Sequence, residues 1–97
     1  MFNKLKQFKQ VKETQAMLRK EAVDGTAGWG KVKVTVNAAL QVTNVQIDPD
    51  ALANRESLQG MIKDAVNDAL PKAIRLMQKT VKESGNEELL RQLSPKS

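Results

Sequence analysis

Few side chains in this 97-residue sequence could do covalent or acid–base chemistry, and the basic ones carry most of the pattern. There is no cysteine and no histidine. Their absence removes thiol nucleophiles, disulfides, thiolate-held zinc, and the commonest general base and metal ligand. Two carboxylate pairs have the right type for acid–base work, Asp48 with Asp50 and Asp64 with Asp68. Both have plainer roles, the first at a turn and the second on a helix. Gly25, Gly28 and Gly30 fall within six residues, but no Gly-Lys-Ser/Thr ending follows and no strand-then-helix context surrounds them. They read as the stop of a helix and a flexible entry to strands. Trp29, the sole tryptophan, reads as packing over a sheet or a partner chain, with base stacking as the second choice. Met61 and Met77 read as core fillers. No enzyme, cofactor, metal or small-molecule substrate is expected.

The charge of +5 is informative by position. Residues 1–22 carry six bases against two acids, residues 23–70 four against six, and residues 71–97 six against three. Positive charge therefore collects at both ends of the sequence. No apolar run reaches bilayer-spanning length, and the start lacks an unbroken apolar segment of the signal-peptide kind. A cytoplasmic protein with no membrane association is the expectation.

Strands are clearest between Gly30 and Pro49. Val32, Val34 and Val36 alternate with Lys31, Lys33 and Thr35, so one face is apolar. After an Asn37-Ala38-Ala39 turn, Leu40 and Val42 are out of phase with Val45 and Ile47, which predicts a bulge near Thr43-Asn44. Asp48-Pro49 ends that strand. Residues 2–22 read as a helix with Asn3 as a possible N-cap. Its apolar stripe is Phe8, Val11, Gln15, Leu18 and Ala22, with Lys6, Lys9 and Lys20 opposite and Lys12 and Arg19 flanking. From about Glu56 to Ser84 a second helix carries Leu58, Met61, Ile62, Ala65, Val66, Ala69, Ala73, Ile74, Met77 and Val81 at three-four spacing. So wide a stripe needs cover on more than one side. A second copy is expected against Leu58, Ile62, Ala65, Ala69, Ala73 and Met77. Pro71 predicts a kink, at a cost of roughly 3 kcal/mol unless bending and solvent relieve it. A short terminal helix is expected over residues 86–93.

The Val23-Asp24-Gly25 to Gly30 loop, Val32-Lys33-Val34-Thr35-Val36-Asn37 and Val45-Gln46-Ile47-Asp48-Pro49 together resemble the YbaB/EbfC family of small bacterial nucleoid-associated proteins. Ala65-Val66-Asn67-Asp68-Ala69 is similar to that family's Asn-Asp-Ala segment in its long second helix. The likeness covers roughly residues 1–84, and Pro71 and the C-terminus depart from it. It implies one α+β domain ordered α-β-β-β-α: a helical arm (1–22), a small antiparallel sheet (23–49) and a long helix (55–84); with the terminal helix read from its own residues, the single domain is taken as 1–97. It also implies an intertwined homodimer whose helices project as arms toward double-stranded DNA in the nucleoid.

Charge and helical position then nominate the contacts: Lys6, Lys9, Lys12, Arg19 and Lys20 on the first arm, and Lys72, Arg75, Lys79 and Lys82 on the second. Ammonium groups suit phosphate oxygens, and the scarcity of arginine with no base-reading motif implies little sequence specificity. Two other classes are open at this point. One is a dimeric interaction module without DNA binding; the other is a basic amphipathic first helix lying on an anionic membrane.

Overall fold

The computed structural model describes residues 12–83. In order these form a helix over 12–20 (α1) and three strands, Ala22–Ala27 (β1), Val32–Asn37 (β2) and Val42–Ile47 (β3). A 3-10 turn at Pro49–Ala53 and a 29-residue helix, Arg55–Glu83 (α2), complete them. The order is the expected α-β-β-β-α. Lys6, Lys9, the Asn3 cap and the 86–93 helix lie outside the described residues.

The first helix ends sooner than its sequence pattern suggested. It gives way after Lys20, and the segment containing Gly25 is a strand rather than a helix stop. Thr14 and Leu18 are the residues it buries; Gln15 and Ala22, expected on the same stripe, are exposed.

The strands form an antiparallel meander, β1-β2-β3. Cross-strand partners share a face, so the register builds three rows on one side: Val23–Val36–Val42, Gly25–Val34–Val45 and Ala27–Val32–Ile47. The expected bulge supplies this alignment. Thr35 pairs with Asn44 but Val36 with Val42, leaving Thr43 as the extra residue that returns Val42 to the apolar face. The opposite face is polar, with Asp24, Thr35 and Asn44 in one row and Thr26, Lys33 and Gln46 in the next.

Each hairpin is closed by a different device. Between β2 and β3, buried Asn37 accepts the N–H groups of Ala39 and Gln41 on Oδ1, both at 3.0 Å, and its Nδ2 donates to Gln41 Oε1. Leu40 closes that loop at φ 64°, a turn residue rather than the strand residue its hydrophobicity suggested. Between β1 and β2, Gly28, Trp29 and Gly30 have φ of 63°, 60° and 86°, and Lys31 N–H returns to the Gly28 carbonyl at 3.2 Å. Positive φ at both central residues is the signature of a type I′ turn, whose twist suits a hairpin. For the two bulky residues, Trp29 and Leu40, this left-handed backbone costs about 1–2 kcal/mol each.

Helix α2 begins on Asn54, whose Oδ1 accepts Ser57 N–H at 3.0 Å. It continues through Pro71, which is exposed and points away from the core. Its buried residues Ala65, Ala69 and Ala73 pack with Val32, Val34 and Val36. Gly25 makes that contact possible. A Cβ there would fall onto the Ala65 carbonyl oxygen and the Ala69 nitrogen, and 2.7 Å from the Ala69 Cβ. The alanine stripe therefore faces the chain's own sheet. Ala65, Ala69, Ala73 and Met77, expected against a second copy, are at most 2% exposed within a single chain.

At 1.5 Å per residue α2 is about 44 Å long, whereas a six-residue strand spans about 20 Å. Its C-terminal half must run beyond the sheet. Substituting Gly25→Ala should therefore cost about 2–3 kcal/mol, the range for forcing atoms into a packed contact, read as a lowered urea midpoint.

Candidate nucleic-acid interface

Beyond the sheet, α2 finds a companion in α1. Leu18, Ala38, Met77 and Val81 form a second buried cluster, with Ile74, Leu76 and Ala39 packed around it. Thr14 and Thr80 are buried as well. The chain thus carries a two-helix arm in which residues near opposite ends of the sequence lie side by side. Lys20 and Lys79, with Glu21 and Glu83, line a single cleft between the helices together with Met17, Leu76 and Thr80.

Of the basic residues expected to contact DNA, Lys12, Arg19, Lys20, Lys72, Arg75, Lys79 and Lys82 are described, and all are exposed. They differ in availability. Lys79 Nζ lies 4.0 Å from Glu83 Oε1, a surface pair that holds it only weakly. Lys72 is more firmly held. Its Nζ donates to Asp68 Oδ2 and to the Asp24 carbonyl oxygen, both at 3.2 Å.

That arrangement has a structural function which sequence reading missed. β1 is an edge strand, and its outward N–H and C=O groups would otherwise be open to another strand. Asp68 Oδ2 accepts Thr26 N–H at 3.0 Å, while Lys72 takes the Asp24 carbonyl. Two side chains one helical turn apart therefore occupy one outward N–H and one outward C=O of β1. The Thr26 N–H bond, followed by the hydrogen bond from Lys72, holds the Asp68 carboxyl below its ordinary value. The Asp68–Lys72 spacing was visible in the sequence, but its backbone partner was not.

The β3 side of the sheet is different. α2 packs on β1 and β2, so the third residue of each apolar row is left open. Val42, Val45 and Ile47 are 53%, 45% and 37% exposed. Leu40 and Leu52 flank them in sequence and are also exposed. On α2, Leu58, Ile62, Val66 and Leu70 are half-buried along the flank opposite Asp68 and Lys72. Leu58 and Ile62 are thus the two residues of the expected dimer contact that keep accessible surface.

The carboxylate pairs are accounted for locally. Asp48 Oδ1 accepts Asp50 N–H at 2.9 Å at the start of the 3-10 turn, and Asp68 serves the β1 edge. Among the described residues no cluster of three or more acidic side chains could hold a metal. No described helix is long and apolar enough to cross a membrane.

A three-stranded meander covered by one long helix, with a second helix on its projecting end, defines a small α+β protein with a basic arm. The chain matches the YbaB/EbfC DNA-binding family over residues 1–88, and it belongs to that family. A nucleoid-associated protein of Chlorobium phaeovibrioides is 35% identical over 71 residues, 73% of this chain and 65% of the relative. Another, from Dictyoglomus thermophilum, is 38% identical over 78 residues, covering 74% of this chain and 75% of the relative. The chain therefore spans somewhat less than two thirds of the Chlorobium protein's length. Among solved structures, an uncharacterized protein from Helicobacter pylori has the same fold, with a TM-score of 0.61 at 23% identity over 79% of this chain and 88% of the other.

Because the Asp68 carboxyl titrates lower in the folded chain than in the unfolded one, its bonds contribute fully above the ordinary carboxylate value and are lost as pH falls through the folded value. Asp68→Asn should accordingly lower the thermal midpoint at neutral pH. The two midpoints should converge in acid, as followed by circular dichroism.

Proposed function

We propose that this protein binds duplex DNA in the nucleoid through phosphate contacts made by the two-helix arm, with little sequence preference and without catalysis. The observation that carries this reading is that bases from α1 and α2 share one projection. Lys20 of α1 and Lys79 of α2 line the same cleft, with Glu21 and Glu83, and Arg19, Arg75 and Lys82 are exposed on those two helices. Family membership and the names of the relatives support the same partner. Lys72 is a lesser contributor than expected, since releasing it to a phosphate would reopen the β1 edge. Lysine and arginine on phosphates displace condensed counterions, so affinity must fall steeply with salt.

With about six phosphates neutralised, log K against log salt should have a slope near −5. Two unrelated duplexes of equal length should give similar affinities. Arg75→Glu combined with Lys79→Glu should flatten the slope and weaken both complexes alike. A slope near zero would instead favour a protein-interaction module whose lysines serve solubility.

The protein acts in this reading as a homodimer, with Val42, Val45 and Ile47 meeting a second copy and Leu58 and Ile62 at the border. Three neighbouring apolar residues a third to a half exposed on one strand are poor solvent-facing surface, and a second copy offers the same apolar face in return. Keeping Leu40 at positive φ beside them also fits a side chain used in that contact. Val45→Asp should convert the dimer to a folded monomer in sedimentation equilibrium, because Val45 is not part of the single-chain core. A variant that stays dimeric would place the interface elsewhere.

A further inference from the structure

Trp29 is 103% exposed, whereas the other exposed large hydrophobic residues among those described lie between 37% and 62%. It neither packs over the sheet nor rests on its own helix. It sits at the first central position of the β1–β2 turn with φ 60°, a backbone conformation that a bulky L residue resists and that asparagine or glycine adopts readily. Around it there is room. A Cβ placed on neighbouring Gly30 would meet nothing within 4 Å. The indole is thus presented in water on a turn that would be more stable without it.

We propose that Trp29 is a DNA-contacting residue, its indole wedging into a base step of the bound duplex and partly unstacking it while Lys31 and Lys33 face the flanking phosphates. The inference rests on the DNA-binding reading above and adds a second contact site to the arm. The surroundings are mostly polar, with Ile47 at the border shared with the apolar β3 face. The shallow depression beside the turn is lined by Gly30, Lys31, Lys33, Gln46, Ile47 and Asp48, of which only Ile47 is apolar. A protein-binding tryptophan would need an apolar, water-excluding rim, whereas a wedge into a base step needs an unobstructed ring and cations for the adjoining phosphates. The one acid there, Asp48, has an oxygen occupied by Asp50 N–H.

The spacing also fits a single duplex. The turn touches α2 at Met61, against which Gly28 is pressed. Arg75 and Lys82 lie about 21 and 32 Å further along the helix axis, and one base pair of B-DNA takes about 3.4 Å. Turn and arm are therefore separated by about six to nine base pairs along the helix direction.

Trp29 is the sole tryptophan and there is no tyrosine, so intrinsic emission reports this residue alone. Binding of an end-labelled duplex is followed by anisotropy of the label, in parallel with tryptophan emission and its quenching by acrylamide. In the free protein the indole should be fully open to acrylamide. At saturating duplex its emission should drop and the quenching constant should fall several-fold. Trp29→Asn should raise the thermal midpoint by relieving the turn while weakening binding several-fold. Trp29→Phe should retain most of the affinity. Binding by anisotropy with unchanged emission, or undiminished affinity in Trp29→Asn, overturns the contact and leaves DNA binding intact. No anisotropy change at low salt defeats both readings together. An indole already shielded from acrylamide in the free protein assigns Trp29 to the contact between copies and overturns the proposal.

Discussion

The rest of the structure depends on how closely α2 approaches β1. Gly25 lies directly beneath the Ala65 and Ala69 backbone, a contact that leaves no room for a Cβ on the strand. A chain with two phenylalanines, one tryptophan and no tyrosine has little bulk with which to fill a gap between helix and sheet. Its apolar contact is instead made thin, with valines below, alanines above and a glycine at the crossing point. Dispersion attraction falls steeply with separation, so small residues hold the layers together only when the backbones nearly touch.

Drawing α2 toward β1 decides what happens at the two sides of the sheet. On the β1 side the helix is near enough for Asp68 and Lys72 to take the outward Thr26 N–H and Asp24 carbonyl, which blunts that edge against other strands. On the β3 side the same displacement leaves Val42, Val45 and Ile47 uncovered. One edge is thus protected, and the other offers an apolar face where a second copy can be accommodated. The length of α2 does the remaining work, since a helix twice as long as the strands must project, and α1 covers the apolar end of that projection with Leu18.

The two left-handed non-glycine residues fit this division. Both occupy hairpin turns and both are large and exposed, so neither is repaid by burial within the chain. Leu40 adjoins the open β3 face and Trp29 the basic β1–β2 turn. Strain of this kind persists only where the surrounding structure enforces it, here through the Asn37 hydrogen bonds at one turn and the Lys31–Gly28 bond with the flanking strand pairing at the other.

Local patterns in the sequence determined the valine alternation of β2, the long helix after Asn54, the bulge at Thr43 and the concentration of bases at the two ends. Each follows from side-chain periodicity or a proline, which act over a few residues. The end of α1 and the start of β1 were not legible, because helix-compatible residues there are pulled into a strand by pairing with β2. The alanine stripe was legible as a contact surface but not as to which surface it meets. Tertiary structure decided that Ala65, Ala69 and Ala73 face Gly25 and β2, that Asp68 and Lys72 serve a strand edge, and that Lys20 stands beside Lys79. Those outcomes depend on distances between residues far apart in the chain, which no short-range periodicity encodes.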